Sequence, residues 1–228
     1  MIQSRSEAVH MSKPVIAIVG AGPGVSAGVA RKFGGHGFTV VLLARGRESL
    51  DLQVADLRER GVDAHAVTAD ASVKETLVTA FAQIESEFAA PDVLVYNAGA
   101  NTISDPSDLA EEDLLADFTV NVAGALVCSR LVIPRMTERG TGCLLFTGGM
   151  LALKPVASRA SAAISKAGLR NLAFTLADEL APAGIKVGTV TIGGVVSPGT
   201  FFDPDLISEA YWDLFNGSDQ TEILYQPA

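Results

Sequence analysis

Only two of the 228 residues are cysteine and three are histidine. Cys128 and Cys143 stand in apolar company, in "ALVCSRLV" and "GCLLF", with no partner at metal-ligand spacing. They read as reduced core thiols of a cytoplasmic protein, and no metal site is expected. His10, His36 and His65 fall in the leader, in a turn after the first helix and in a strand remote from the candidate site, so none is read as catalytic. Basic residues are scarce as well. Seventeen Lys and Arg against twenty-six Asp and Glu leave a net charge of −9, which disfavours a nucleic-acid backbone or an anionic membrane surface as partner. No stretch reaches eighteen apolar residues without a charge or turn signal, so no membrane span is expected. The opening "MIQSRSEAVH" lacks an apolar run of signal-peptide length, and a second methionine, Met11, follows it. Residues 1–12 therefore read as a flexible extension and residues 13–228 as one domain. There is neither an internal repeat nor a low-complexity tract.

What is present is an alternation. The β-type runs "VIAIVG", "FTVVLLA", "DAHAVTA", "PDVLVYNAG", "GCLLFTGG" and "IKVGTVTIGG" alternate with helix-type runs from about Gly24, in "RESLDLQVADLRERG", in "VKETLVTAFAQIESEFA", within Asp108–Arg139 and within Ser158–Ala181. Strand, helix, strand, repeated, predicts an α/β fold with a parallel sheet and helices on both faces. Short, continuously apolar strands fit a sheet covered on both sides. "PDLISEAYWDLF" reads as a short amphipathic lid helix carrying Tyr211 and Trp212, whose aromatics either cover a substrate or, as for Trp212 and Phe215, serve as ordinary packing, and "TEILYQ" as a last strand. The runs "LLADFTVNVAGALVCSRLVI" and "SAAISKAGLRNLAFTLADEL" are apolar around most of their circumference, which predicts a second buried face: either a well-covered sheet or, the favoured expectation, a homodimer or homotetramer interface built on these helices, with Leu172 pointing outward.

The chemistry-bearing features begin after the first strand. In "GAGPGVSAG", Gly20, Gly22 and Gly24 permit a tight turn and close backbone approach, and the helix that follows offers unpaired N–H groups and a positive dipole end to a pyrophosphate. The second strand ends "LLAR". Ala44 leaves no carboxylate there, and Arg45 and Arg47 follow, cations at the unfavourable end of the next helix dipole that an anionic partner would explain. Asp70 closes the third strand in "TADAS", where helix capping is an alternative use for it. "YNAG" closes the fourth, Asn121 lies mid-helix in "TVNVAG", and Lys166 follows in "AAISKAG".

In this order, from Val15 to about Ser197, these motifs resemble the short-chain dehydrogenase/reductase family. The resemblance implies a Rossmann-type doubly wound sheet of about seven strands in the order 3-2-1-4-5-6-7, with a nicotinamide dinucleotide across the strands' carboxyl ends. Carried over by position, Gly20, Gly22, Gly24, Val25 and Ser26 would wrap the pyrophosphate. Asp70 and Ala71 would meet the adenine, Asn97, Ala98 and Gly99 would line the adenosine ribose, and Gly193 and Val195 would cover the nicotinamide end, where the family's proline is replaced by Ile192. Arg45 in place of an acid favours NADP(H) over NAD(H), because a guanidinium grips a 2′-phosphate that a carboxylate repels.

The resemblance also exposes a gap. Where family members carry a tyrosine four residues before the lysine, and a serine thirteen residues earlier, this chain has Ala162 and Gly149. Asn121 and Lys166 remain as the catalytic candidates. Among substitute donors, Ser161, Ser165, Thr147 and Tyr96 lack the lysine-supported phenol, and Ser158 reads as a helix cap. The leading expectation is a divergent NADP(H)-dependent oxidoreductase of a small organic carbonyl or alcohol. The rivals are a cofactor-binding sensor or partner subunit without turnover, and a non-redox isomerase or lyase using Lys166.

Overall fold

The computed structural model describes residues 13–217 and 219–227. The extension expected over residues 1–12 therefore lies outside the described residues. Seven strands form one wholly parallel sheet in the order β3-β2-β1-β4-β5-β6-β7: β1 Val15–Val19, β2 Thr39–Ala44, β3 Ala64–Thr68, β4 Val93–Tyr96, β5 Gly142–Gly149, β6 Ile185–Ile192 and β7 Glu222–Tyr225. All five residues of β1 and all four of β4 are buried. These strands are covered on both faces, which is why their sequence runs are continuously apolar instead of alternating.

The covering helices divide the core in two. On one face α1 (Val25–Gly35), α2 (Arg47–Glu59) and α7 (Pro204–Asn216) pack through Val29, Phe33, Leu50, Val54, Tyr211 and Leu214. On the other, α3 (Lys74–Glu87), α5 (Gly124–Arg139) and α6 (Ala160–Leu180) pack through Leu77, Ile84, Cys128, Val132, Leu169 and Leu176. The buried residues of α2, Leu50, Val54 and Leu57, follow the i, i+4, i+7 spacing of a single helical stripe.

Three expectations are corrected here. Helix α7 is a packing layer, not a lid: Gly28 of α1 lies so close to it that a Cβ there would sit 2.1 Å from the Pro204 carbonyl oxygen. Arg31–Asp205 and Lys32–Glu209 ion pairs, each 2.6 Å, fasten the two helices. Tyr211 is fully buried, and Trp212 stacks on His36 and packs edge-on against Phe33. Leu172 packs against the core instead of pointing outward; within these runs the exposed large apolar residues are Leu115, Phe118, Leu126, Ile164 and Phe174. Ser158 does not cap α6, whose N-cap is Arg159 with no side-chain capping bond.

The long apolar helix is interrupted in register without being broken. Helix α4 (Glu111–Phe118) runs into a π-helical turn, Thr119–Ala123, and then into α5, giving a rod from Glu111 to Arg139. By length and composition that rod is apolar enough to cross a membrane. In the fold, Cys128, Val132 and Met136 spend part of that apolarity on the core. At the π turn the Gly124 N–H reaches back five residues to the Thr119 carbonyl. The freed Val120 carbonyl accepts the phenol hydrogen of buried Tyr96, and a Cβ on Gly124 would collide with that hydroxyl. The wider turn and the glycine thus both make room for one tyrosine.

Candidate cofactor and active site

The glycine loop is fixed from three sides. Gly20 and Ala21 N–H groups both donate to the Leu43 carbonyl, at 2.9 and 3.0 Å. Asn97 Nδ2 donates to the Gly20 carbonyl at 2.8 Å. Ser26 Oγ accepts from Gly22 N–H and donates to the Gly22 carbonyl, at 2.8 and 3.0 Å. Gly20 has φ +86°, and a Cβ on it would sit 2.2 Å from the Ala98 nitrogen, so both conformation and space require glycine there. At Gly22 the opposite holds: a Cβ would meet nothing within 4 Å, leaving the loop open above it. The N–H groups of Gly24, Val25 and Ser26 have no backbone acceptor among the described residues, the usual condition of a helix's first turn.

Beside this loop lies a cleft of about 320 Å3 over the carboxyl ends of β1 to β4. It opens where the strand order turns back, between β1 and β4. Gly20, Arg45, Asp70, Ala71, Asn97, Ala98 and Gly99 line it, as do Leu43, Ala44, Ala100 and Val120. Asp70 is no helix cap: α3 is capped at Val73, and Asp70 Oδ1 instead accepts from both Ser72 N–H and Ser72 Oγ, at 2.9 and 2.7 Å. The Ser72 bonds hold the Asp70 carboxyl below its ordinary range, with Arg45 adding a smaller pull. Arg47, expected to seek an anion beside Arg45, is already paired with Asp51 one turn along α2, at 2.9 Å.

The other expected residues stand outside that cleft. Asn121, buried in the π turn, accepts from Ala100 N–H and donates to the Ala100 carbonyl, both at 2.8 Å. The neighbouring Asp117, also buried, accepts from Thr102 N–H and Ser161 Oγ at 2.6 Å each. Together they pin the 100–102 segment. Sequence reasoning missed Asp117; its signal was a carboxylate one helical turn before Asn121 in an otherwise apolar run. Lys166 is half-buried, its stem packed over Gly149 and its ammonium donating to the Thr147 carbonyl at 2.7 Å. Desolvation brings its pKa down to about 8. Gly193 N–H donates to the Tyr225 carbonyl, and Val195 is 84% exposed. The neighbouring Val196 approaches Gly24, its Cγ1 lying 3.9 Å from where a Cβ on that glycine would stand.

The candidate substitute donors are engaged or enclosed. Tyr96 donates to Val120 with its hydroxyl pKa driven upward by burial. Thr147 Oγ1 donates to Asn97 Oδ1 at 2.9 Å, Ser161 donates to Asp117, and Ser165 is fully buried.

A glycine loop open above a helix N-terminus, at the switch point of a seven-stranded parallel sheet, with an acid and an arginine along the same cleft, defines a dinucleotide-binding Rossmann-type protein. The residues present fit the adenosine and pyrophosphate portion of such a cofactor. The sequence profile described as short chain dehydrogenase matches residues 14–201, and the chain belongs to that family of oxidoreductases, which bind a nicotinamide cofactor. A putative ketoacyl reductase of Streptomyces coelicolor is 32% identical over 186 residues, covering 81% of this chain and 71% of the relative. A variant of actinorhodin polyketide ketoreductase solved with NADPH superposes with a TM-score of 0.79 at 30% identity, covering 91% of this chain and 80% of that one. A metagenomic short-chain oxidoreductase in complex with NADP superposes with a TM-score of 0.86 at 27% identity, covering 96% and 99%.

Proposed function

We propose that the protein is a divergent NADP(H)-dependent oxidoreductase acting on a small organic carbonyl or alcohol. The observation that carries the cofactor choice is the cleft itself, where Arg45 stands at the end of β2 and Ala44 supplies no carboxylate. A 2′-phosphate would pair with the Arg45 guanidinium without an opposing acid at that strand end. Related structures holding NADPH and NADP support the same choice. Bound there, the cofactor would supply hydride transfer. The glycine loop and the first turn of α1 would hold the pyrophosphate, Asp70 the adenine, and Lys166 the nicotinamide ribose, with Asn121 fixing the segment beside it.

We read Gly149 and Ala162 as standing where the family's serine and tyrosine stand, which leaves no phenol to protonate a developing alkoxide. The engagement of Tyr96, Thr147 and Ser161 favours a second reading, a cofactor-binding protein without reductase turnover. The pair Gly149→Ser and Ala162→Tyr separates the two. A Cβ on Gly149 would lie 3.7 Å from the nearest Lys166 carbon, an ordinary contact, so a serine fits. A phenol one turn before Lys166 would gain an acid supported by an ammonium, worth roughly 10²–10⁴-fold. The double variant is expected to oxidise NADPH against small dicarbonyls or quinones about a hundredfold or more faster than wild type. Ordinary reductase turnover by wild type would mean that another group supplies the proton. A folded, cofactor-binding double variant with no gain would favour the sensor reading.

A further inference from the structure

The carboxyl end of the sheet carries a polar chain that starts at buried Tyr211 in α7 and ends at the cleft. Tyr211 OH lies 2.7 Å from Thr147 Oγ1, which lies 2.9 Å from Asn97 Oδ1, while Asn97 Nδ2 lies 2.8 Å from the Gly20 carbonyl oxygen. The proton direction along this chain is determined. The Gly20 carbonyl only accepts, so it must face the Asn97 amide nitrogen, which turns Oδ1 toward Thr147. Thr147 must then donate its single hydroxyl hydrogen to Asn97. Its oxygen is left as the acceptor for Tyr211, whose phenol is the one-way source of the chain. The Thr147 carbonyl meanwhile accepts from Lys166 Nζ at 2.7 Å, so one β5 residue serves both the glycine turn and the lysine. Tyr211 and Thr147 are both buried, and the phenol's pKa is driven upward by desolvation, so it stays a donor at every working pH.

We propose that Tyr211 is a positioning residue for the dinucleotide turn, acting through Thr147 and Asn97 on the Gly20 carbonyl. The helix that carries it bears on the same loop by a second route. Helix α7 packs on α1 through the Gly28–Pro204 approach and the two ion pairs, and α1 begins at the loop's far end. The C-terminal helix therefore sets both ends of the segment that would hold the pyrophosphate. Removing the phenol takes away the donor to the Thr147 oxygen but leaves the Thr147–Asn97 bond, so the Thr147 rotamer, and through that bond the Asn97 amide, is held less tightly.

This inference rests on the cofactor reading above, and its test keeps the two apart. Tyr211→Phe keeps the ring and removes the donor. In wild type, Tyr211→Phe, Thr147→Val, the double variant and Leu214→Val, a core change in α7 outside the chain, two quantities are measured. One is NADPH affinity by calorimetry. The other is amide hydrogen exchange over residues 20–24 without cofactor. The expected result is about a twofold to tenfold loss of affinity in Tyr211→Phe, the scale of one neutral hydrogen bond. Exchange at the turn should be faster, the double variant no worse than Thr147→Val, and Leu214→Val indistinguishable from wild type in both. Native affinity and native exchange in a folded Tyr211→Phe would overturn the inference, as would an equal loss in Leu214→Val. If wild type binds no nicotinamide cofactor, the functional reading fails, and the exchange comparison alone decides the positioning role.

Discussion

Lys166 is the residue on which the candidate chemistry turns, and its burial gives it a testable signature. Its folded pKa of about 8 lies below the ordinary 10.5. Below pH 8 both folded and unfolded chains carry the ammonium, and the desolvation penalty acts in full. Between about 8 and 10.5 the folded chain has released a proton that the unfolded chain keeps, so this residue makes stability rise with pH over that window. Lys166→Met is therefore expected to raise the urea midpoint at pH 7, and to raise it less at pH 9.5. A gain that is equal at both values would show that the ammonium is solvated. At the same scale, some residues were legible from sequence and others were not. Gly20 and Asp70 announce themselves by position after a strand. The paired use of both Asn121 amide groups on Ala100 does not, because it depends on a π turn that leaves no mark in composition.

Among the elements, the strands and most helices follow from patterning, because fully buried strands and one-sided helices have distinct periods. Helix α7 is ambiguous between lid and packing layer in sequence for a physical reason. Its aromatic content suits either a lid or a core face, and the deciding feature, Gly28 opposite Pro204, lies about 175 residues apart in sequence. Helices α5 and α6 leave Leu126, Ile164 and Phe174 exposed. We propose that these faces meet in a homodimer or homotetramer. Sedimentation is expected to give a dimer or larger species that Ile164→Glu dissociates without unfolding. A wild-type monomer at micromolar concentration would show that the faces stay solvated.

At the scale of the whole molecule, the parallel sheet brings the ends of β1 to β4 to one edge, and its reversal between β1 and β4 opens the cleft there. That arrangement was legible in the order of the motifs, since strand order and site position are linked in doubly wound sheets. Against a chain of net charge −9, the cleft offers Arg45 as a local cation where a 2′-phosphate would lie. The most direct measurement is a calorimetric titration of wild type and Arg45→Ala with NADPH and with NADH. NADPH should bind wild type about tenfold or more tightly than NADH, the scale of one charge-assisted hydrogen bond, and Arg45→Ala should remove most of that difference. Equal affinities in wild type, or no binding of either nucleotide, would contradict the account.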